Sequence, residues 1–140
     1  MARDAHLEHL AKMPLFAGCT KKDLRMIGRT LTELDIEPGE VLMSEGDRAT
    51  SFLVVVEGQL EVRRNGRKIG TVGPGGVLGE MAILTDRPRN ATVKAATPAV
   101  ILVGERRSFE PLLDEVPGLA KKVLYSLAGR VADNERYAVH

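Results

Sequence analysis

The stretch LGEMAILTDRPRNATV, residues 78–93, combines a Gly-Glu pair with an Arg-Asn-Ala-Thr run. Gly79 permits a close approach between the backbone and another group. Residues 80–84 are long enough for about one helical turn, and the start of such a turn presents unpaired N–H groups that attract anions. Arg89 carries a guanidinium fork that fits two phosphate oxygens, whereas Glu80 is an acceptor that suits a sugar hydroxyl or a nearby arginine. The stretch therefore predicts a site for a ligand with one phosphate and one ribose hydroxyl.

The segment around this stretch, residues 31–104, holds 10 of the 14 glycines and four of the seven prolines. These residues separate short apolar runs, which is the spacing of an all-β sandwich or barrel. Asn65-Gly66 predicts a two-residue hairpin turn, because both central positions of a type I′ turn need a positive φ. Pro38-Gly39 and Glu57-Gly58 predict two further turns. The apolar runs lie at 41–43, 52–56, 60–62, 69–72, 91–95 and 99–103.

The first 30 residues predict two helices. Leu7 and Leu10 have the spacing of one helical face. Thr20 is suited to an N-cap, with Asp23 three residues later as a capping-box partner. The apolar face of this second helix extends by its spacing to Leu31.

Residues 105–140 predict two more helices. The first covers 105–114, and the second begins near Pro117, a residue suited to the first helical position. Apolar residues recur at every fourth position of the second helix, which makes it amphipathic. The order of helices, strands and helices predicts an α+β fold with segregated layers. The recurring apolar residues are Leu119, Val123, Leu127 and Val131.

Composition excludes several classes of protein. A length of 140 residues is typical of one domain that needs no disulfide or structural metal to build its core. The net charge of +1 and the 4% of aromatic residues without Trp argue against a basic or base-stacking nucleic-acid binder. One cysteine excludes an internal disulfide. Because the sequence has no apolar membrane span and no signal peptide, we expect a cytoplasmic protein.

GEMA at 79–82 is followed, after six intervening residues, by RNAT at 89–92. This pattern resembles the phosphate-binding cassette of cyclic nucleotide-binding domains. It is most similar to the cassettes of the regulatory subunit of cAMP-dependent protein kinase and of bacterial cyclic-nucleotide-gated channels. The catabolite activator protein is similar but less close. Gly39, Gly46 and Gly58 also fall where this family places its turn glycines. The resemblance covers nearly the whole chain.

The resemblance implies a single domain over 1–140, built as an eight-stranded antiparallel, jelly-roll-like β-roll with N-terminal helices and two C-terminal helices. The N-terminal helices would occupy 1–30. The β-roll would occupy 31–104, with its cassette at 78–92. The C-terminal lid helices would occupy 105–140. The implied function is a sensor that binds a cyclic nucleotide and couples binding to rearrangement of its C-terminal helices, with no enzymatic activity, metal or cofactor.

The resemblance also assigns roles to single residues. Arg89 would hold the cyclic phosphate, and Glu80 would accept a hydrogen bond from the ribose 2′-hydroxyl. Backbone N–H groups would complete the phosphate cradle, and three strand residues would form an apolar pocket for the base. The predicted ligand-binding residues are Gly79, Glu80, Met81, Ala82, Arg89, Asn90, Ala91, Val62, Ile69 and Val72. The candidates to cover the base from the last helix are Tyr125, Arg130, Arg136 and Tyr137.

Asn90 departs from the cassettes that the chain otherwise resembles. This position is Ala in the kinase cassette and often Thr or Ser in members that prefer cGMP. Asn can donate or accept a hydrogen bond, so cGMP stays open as a ligand. We favour cAMP because the chain lacks the hydroxyl that is associated with guanine selectivity.

Other functions have weaker support in the sequence. A metal-dependent cupin would need histidines in its strands, but residues 31–104 contain neither His nor Cys. No P-loop and no nucleophile–base set is present. A transcription regulator would need a helix-turn-helix after the last helix, so the chain would be its sensor fragment, or that of a channel. A docking module without a ligand is the remaining alternative.

The output of the sensor would pass to a protein effector or to a second copy through the last helix, without direct contact to nucleic acid or membrane. Four basic residues surround the predicted hairpin turn and form either a solvated tip or a surface for a partner. They are Arg63, Arg64, Arg67 and Lys68.

Overall fold

The computed structural model of the protein describes residues 2–12, 16, 19–79, 87–116, 118–121 and 124. Its described residues up to position 31 and from 107 onward form a helical unit, and residues 32–106 form a β unit. The elements are α1 (Ala2–Lys12), α2 (Lys21–Gly28), β1 (Leu31–Ile36), β2 (Val41–Met43), β3 (Ser51–Glu57), β4 (Leu60–Arg64), β5 (Arg67–Val72), β6 (Val77–Leu78), β7 (Thr92–Ala95), β8 (Ala99–Glu105) and α3 (Arg106–Glu115).

The β unit consists of two four-stranded sheets. One sheet has the strand order β1-β8-β3-β6, and the other has the order β2-β7-β4-β5. β3 pairs antiparallel with both β8 and β6, and β4 pairs antiparallel with both β5 and β7. This arrangement confirms the predicted α+β class and the antiparallel roll of eight strands.

The core of the β unit lies between the two sheets, because alternate side chains of each strand point to the same face. Leu53 and Val55 of β3 belong to one buried cluster with Val62 of β4. Phe52 and Val54 point to the other face of β3 and are also fully buried. β3 is therefore apolar on both faces, which explains why its sequence is a continuous apolar run rather than an alternating one.

The turns of the β unit form at the glycines for which the sequence predicts them. Asn65 and Gly66 have φ values of 53° and 76°, as a type I′ turn requires, so the predicted β4–β5 hairpin is confirmed. Gly39 and Gly58, in the two other predicted turns, both have a φ of 88°. A Cβ at position 58 would lie 2.7 Å from Cα of Ala99, which only glycine avoids.

The helix α2 begins as predicted. Thr20 Oγ1 accepts a hydrogen bond from the Asp23 N–H at 3.1 Å, and Asp23 Oδ2 accepts one from the Thr20 N–H at 3.0 Å. The expectation that its apolar face reaches Leu31 is wrong. The helix ends at Gly28, and Thr30 Oγ1 donates to the Ile27 carbonyl at 2.7 Å. Leu31 instead begins β1, since pairing of β1 with β8 outweighs its helical spacing.

The helix predicted over residues 105–114 corresponds to α3, and Leu112 within it is buried. Residues 119–121 and 124 are also helical, and Leu119 is fully buried. Among the described residues, no helix is long and apolar enough to cross a membrane. The remaining predicted positions lie outside the described residues, and these are Pro117, Val123, Leu127, Val131, Tyr125, Arg130, Arg136 and Tyr137.

Candidate functional site

Arg89 is the one polar or charged residue in the described part of the chain that is buried, with 6% of its surface exposed. Its Nη2 donates to the Ser51 carbonyl oxygen at 2.8 Å and to Ser51 Oγ at 3.2 Å. Its Nη1 is buried and has no hydrogen-bond partner among the described residues. A buried donor without a partner costs free energy. This end of the guanidinium fork is therefore suited to an anionic ligand.

The charge of Arg89 is only partly compensated by its surroundings. Burial lowers the pKa of Arg89, and the nearby Asp47 carboxylate opposes that effect by favouring the charged form. Burial is the larger of the two effects. Because arginine stays protonated at neutral pH, the site carries a buried positive charge that an anion would stabilise.

Gly79 lies directly against the guanidinium group of Arg89. It has a φ of +80°, which favours glycine. A Cβ at this position would lie 2.6 Å from Arg89 Nη1 and 3.0 Å from the Ser51 carbonyl oxygen. The expected close approach at Gly79 is confirmed, and the group that approaches is the guanidinium.

The loop between β2 and β3 holds the backbone of Arg89. The Arg89 N–H donates to the Asp47 carbonyl at 2.7 Å, and the Arg89 carbonyl accepts from the Gly46 N–H at 2.9 Å. Arg48 and Pro88 also form a β-bridge. The backbone N–H and the carbonyl of Arg89 are therefore both hydrogen-bonded, which fixes the position of its Cα.

The β4–β5 hairpin is bonded to the same segment. Arg64 Nε donates to the Asn90 carbonyl at 3.0 Å. The Asn65 N–H donates to Glu45 Oε1 at 3.0 Å, and the Glu45 N–H donates to Thr92 Oγ1 at 3.0 Å. Hairpin, loop and the segment 88–92 therefore form one hydrogen-bonded network. The sequence predicts either a solvated tip or a partner surface for the basic hairpin residues. Neither interpretation included the hydrogen bond from Arg64 to the Asn90 carbonyl.

A cavity of about 280 Å³ lies beside Arg89. Small-molecule pockets are usually roughly 300–1,000 Å³, so this cavity suits a small group. Its walls are mostly polar, which favours a charged or hydroxylated group. It is lined by Val41, Leu42, Met43, Ser44, Asp47, Arg48, Thr50, Ser51 and Arg89.

The predicted apolar residues are not among those that line this cavity. Val62 is a core residue, and Ile69 and Val72 are half-buried and pack against the same core. Asn90, which follows the cavity-lining Arg89, is half-buried, and Ala91 is fully buried. Glu80, Met81 and Ala82 lie outside the described residues.

Sequence reasoning missed the contribution of Ser51 and of the β2–β3 loop. The loop glycine Gly46 was assigned only to a turn, and it has the positive φ of one, 90°. A contact between residues 51 and 89 joins the start of β3 to a segment outside the strands, for which a single sequence carries no local signal. Among the described residues, no group of three or more His, Cys, Asp or Glu could hold a metal ion.

Comparison with known proteins identifies the family of this chain. The family model for the cyclic nucleotide-binding domain matches residues 33–116. The acetyltransferase Pat of Mycolicibacterium smegmatis is 35% identical over 127 residues, which are 88% of this chain and 38% of that protein. A cAMP-dependent protein kinase regulatory subunit of Yarrowia lipolytica is 32% identical over 99 residues, or 71% of this chain and 26% of that protein.

A solved cyclic nucleotide-binding domain from Methylobacillus flagellatus is similar in structure, with a TM-score of 0.81 and 26% identity over 96% of this chain and 79% of that chain. The chain spans less than two-fifths of the length of either curated relative. The family match covers more than half of the chain and includes both sheets' central strands and the segment around Arg89. The chain therefore belongs to the cyclic nucleotide-binding domain family.

Proposed function

We propose that the chain is a sensor module that binds cAMP, with the cyclic phosphate held by Arg89. The observation that carries this proposal is the buried guanidinium whose Nη1 has no partner among the described residues, next to a polar cavity. A cyclic phosphodiester brings one negative charge and two free oxygens to that fork. Charge-assisted hydrogen bonds of this kind are about twice as strong as neutral ones.

The proposed roles of the other residues follow from the resemblance of residues 79–92 to the family's phosphate-binding cassette. Gly79 leaves room for the guanidinium, and the N–H groups of Asn90 and Ala91 donate to the phosphate. Outside the described residues, Met81 and Ala82 contribute two more N–H groups to this cradle, and Glu80 accepts a hydrogen bond from the ribose 2′-hydroxyl. The base packs on the apolar residues Val62, Ile69 and Val72.

Two observations support cAMP over cGMP. The Yarrowia lipolytica relative is a regulatory subunit of a cAMP-dependent kinase. The residue after Arg89 is Asn90, so the position has no hydroxyl. A preference for cGMP in the experiment below would overturn this part of the proposal.

We further propose that ligand binding changes the arrangement of the C-terminal helices. The proposed division is N-terminal helices in 1–30, a β-roll in 31–104 with its cassette at 78–92, and responding helices in 105–140. The chain is regulatory rather than catalytic, acts in the cytoplasm, and needs no cofactor. Its output passes to a protein effector or to a second copy through the last helix. A ligand drives such a change only by binding one arrangement better than the other.

Calorimetric titration of the purified chain with cAMP, cGMP and 5′-AMP tests the ligand. We expect cAMP to bind best and 5′-AMP much more weakly, because its phosphate is dianionic and its 3′-hydroxyl is free. Arg89→Ala should remove roughly 2–5 kcal/mol of binding free energy. Arg87→Ala removes the same charge from an exposed position in the same segment and should leave the affinity nearly unchanged. Equal affinity of Arg89→Ala and the unaltered chain would contradict the proposal.

Hydrogen exchange with and without cAMP tests the coupling. We expect altered amide protection in α3, in addition to the segment 87–92. Protection confined to the β unit would show that binding is not transmitted to the C-terminal helices.

A further inference from the structure

Arg64 differs from the other basic residues of the β4–β5 hairpin. It is half-buried at the end of β4, and its Nε donates to the Asn90 carbonyl at 3.0 Å. Arg63 instead pairs with Glu61 at 2.7 Å. Arg67 is exposed at the start of β5. Arg64 is thus the hairpin arginine that reaches the segment following Arg89.

The bond to the Asn90 carbonyl also determines the direction of a neighbouring N–H. The carbonyl of Asn90 and the N–H of Ala91 belong to one planar peptide group, and the described part of the chain contains no cis peptide bond. In a trans peptide these two groups point in opposite directions. Fixing the carbonyl toward the hairpin therefore fixes the Ala91 N–H away from it.

The positive charge of Arg64 at the Asn90 carbonyl has a second effect. Hydrogen bonds in a chain polarise one another, so a guanidinium on the oxygen makes the N–H of the same peptide a better donor. An anion that accepts from the Ala91 N–H would then be bound more tightly, although Arg64 does not touch it. Arg64 would act through one peptide group, in addition to the direct contact made by Arg89.

We propose that Arg64 is a positioning residue that orients and polarises the Asn90–Ala91 peptide for the ligand phosphate. This proposal rests on the proposed function, because it takes the phosphate to be the acceptor of the Ala91 N–H. In this proposal the hairpin slows the dissociation of the bound ligand. A merely attractive positive charge would act on the approach of the ligand instead.

Stopped-flow measurement with a fluorescent cAMP analogue separates these two effects. Arg64→Met keeps the aliphatic stem but removes the donor, and Arg67→Met removes the same charge from the exposed side of the hairpin. We expect Arg64→Met to raise koff roughly threefold, because the charged hydrogen bond of the Ala91 N–H to the phosphate is weakened rather than lost, with kon changed less than about 1.5-fold. Arg67→Met should leave koff unchanged. Equal koff values in Arg64→Met and Arg67→Met would overturn the proposal.

Nuclear magnetic resonance of the ligand-free chain tests the orientation of the peptide independently of cAMP binding. We expect the Ala91 amide resonance to shift in Arg64→Met and to stay in place in Arg67→Met. In the unaltered chain, the Arg64 Nε–H resonance should shift when cAMP is added, and that of Arg67 should not. An unmoved Ala91 amide in Arg64→Met would contradict the inference. Absence of any cAMP binding by the unaltered chain would instead contradict the proposed function, and the ligand-free spectra would still decide the role of Arg64.

Discussion

The carbonyl oxygen of Ser51 accepts a hydrogen bond of 2.8 Å from Nη2 of Arg89, a residue 38 positions later in the chain. This contact divides the guanidinium into two halves with different tasks. Nη2 anchors the side chain to the start of β3, and Nη1 is left without a partner among the described residues. The fold thus holds the arginine in place before any ligand arrives, which lowers the entropy that binding must remove.

Arg89→Lys tests whether the fork is needed, as opposed to the charge alone. A lysine is a point charge and cannot bond to Ser51 and to a ligand with two separate, fixed nitrogens. We expect the affinity for cAMP to fall at least about tenfold, which corresponds to about 1.4 kcal/mol. Arg87→Lys is the matched control in the same segment. Calorimetry that finds unchanged affinity in Arg89→Lys would show that the fork geometry is unimportant.

Gly79→Ala tests the close approach between the backbone and Arg89. Its Cβ would lie 2.6 Å from Arg89 Nη1, so the guanidinium would have to move. The control is Gly75→Ala, since Gly75 has a φ of +87° but open space around its Cβ position. Both variants should lose about 1–2 kcal/mol of stability because a Cβ is strained at positive φ, and Gly79→Ala should lose more because its Cβ also meets Arg89 and the Ser51 carbonyl oxygen. Only Gly79→Ala should lose cAMP affinity, by more than about tenfold. Equal affinities of the two variants in calorimetry would contradict this.

Gly58→Ala tests the turn between β3 and β4. A Cβ at position 58 would meet the Pro98 carbonyl and lie 2.7 Å from Cα of Ala99, where backbone cannot give way easily. Strain and overpacking together should lower the free energy of unfolding by about 3 kcal/mol or more. The control is Gly66→Ala, since Gly66 has a φ of +76° but open space around its Cβ position. This variant should lose about 1–2 kcal/mol of unfolding free energy. Urea denaturation of both variants decides, and a Gly58→Ala loss no larger than that of Gly66→Ala would refute the steric argument.

Local patterns allowed the elements of the roll to be predicted, because each depends on neighbouring residues. The Asn65-Gly66 hairpin, the capping box of α2 and the glycine turns all follow from the conformational preferences of one or two residues. β1 was not predicted from the apolar runs. The short strand β6 was not predicted either, since Val77 and Leu78 alone make no period. It exists because both residues pair with β3.

The candidate site could be inferred from the sequence in part for the same reason. Arg89 and Gly79 could be assigned because they lie in one short motif with recognisable chemistry. Ser51, Asp47 and Arg64 contact Arg89 or its neighbour Asn90 from strands and loops far along the sequence. Such contacts arise from the packing of loops and side chains that are distant in the sequence, which a single sequence does not determine.

The capping box of α2 offers a test in the helical unit. Thr20→Ala removes the side chain that accepts from the Asp23 N–H, and we expect a loss of about 1 kcal/mol of stability. Asp23→Ala removes the reciprocal bond to the Thr20 N–H. Because the two bonds support one another, the double variant should lose less than the sum of the single losses, by about 0.5 kcal/mol or more. Strictly additive losses in urea denaturation would mean that the two bonds act independently.

Thr92→Val tests whether the β2–β3 loop positions Arg89. Thr92 Oγ1 accepts from the Glu45 N–H, one residue before the glycine that bonds to the Arg89 carbonyl. Valine keeps the β-branched shape that suits β7 but leaves that N–H without its acceptor, which should cost about 1 kcal/mol of stability. Because the loop also holds the Arg89 backbone, the affinity for cAMP should fall by roughly three- to tenfold. The control is Thr71→Val, an exposed threonine of β5, which should alter neither quantity. If Thr92→Val lost stability but bound cAMP as tightly as Thr71→Val, the loop would be a support for the fold alone and the position of Arg89 would depend on Ser51 and Gly79.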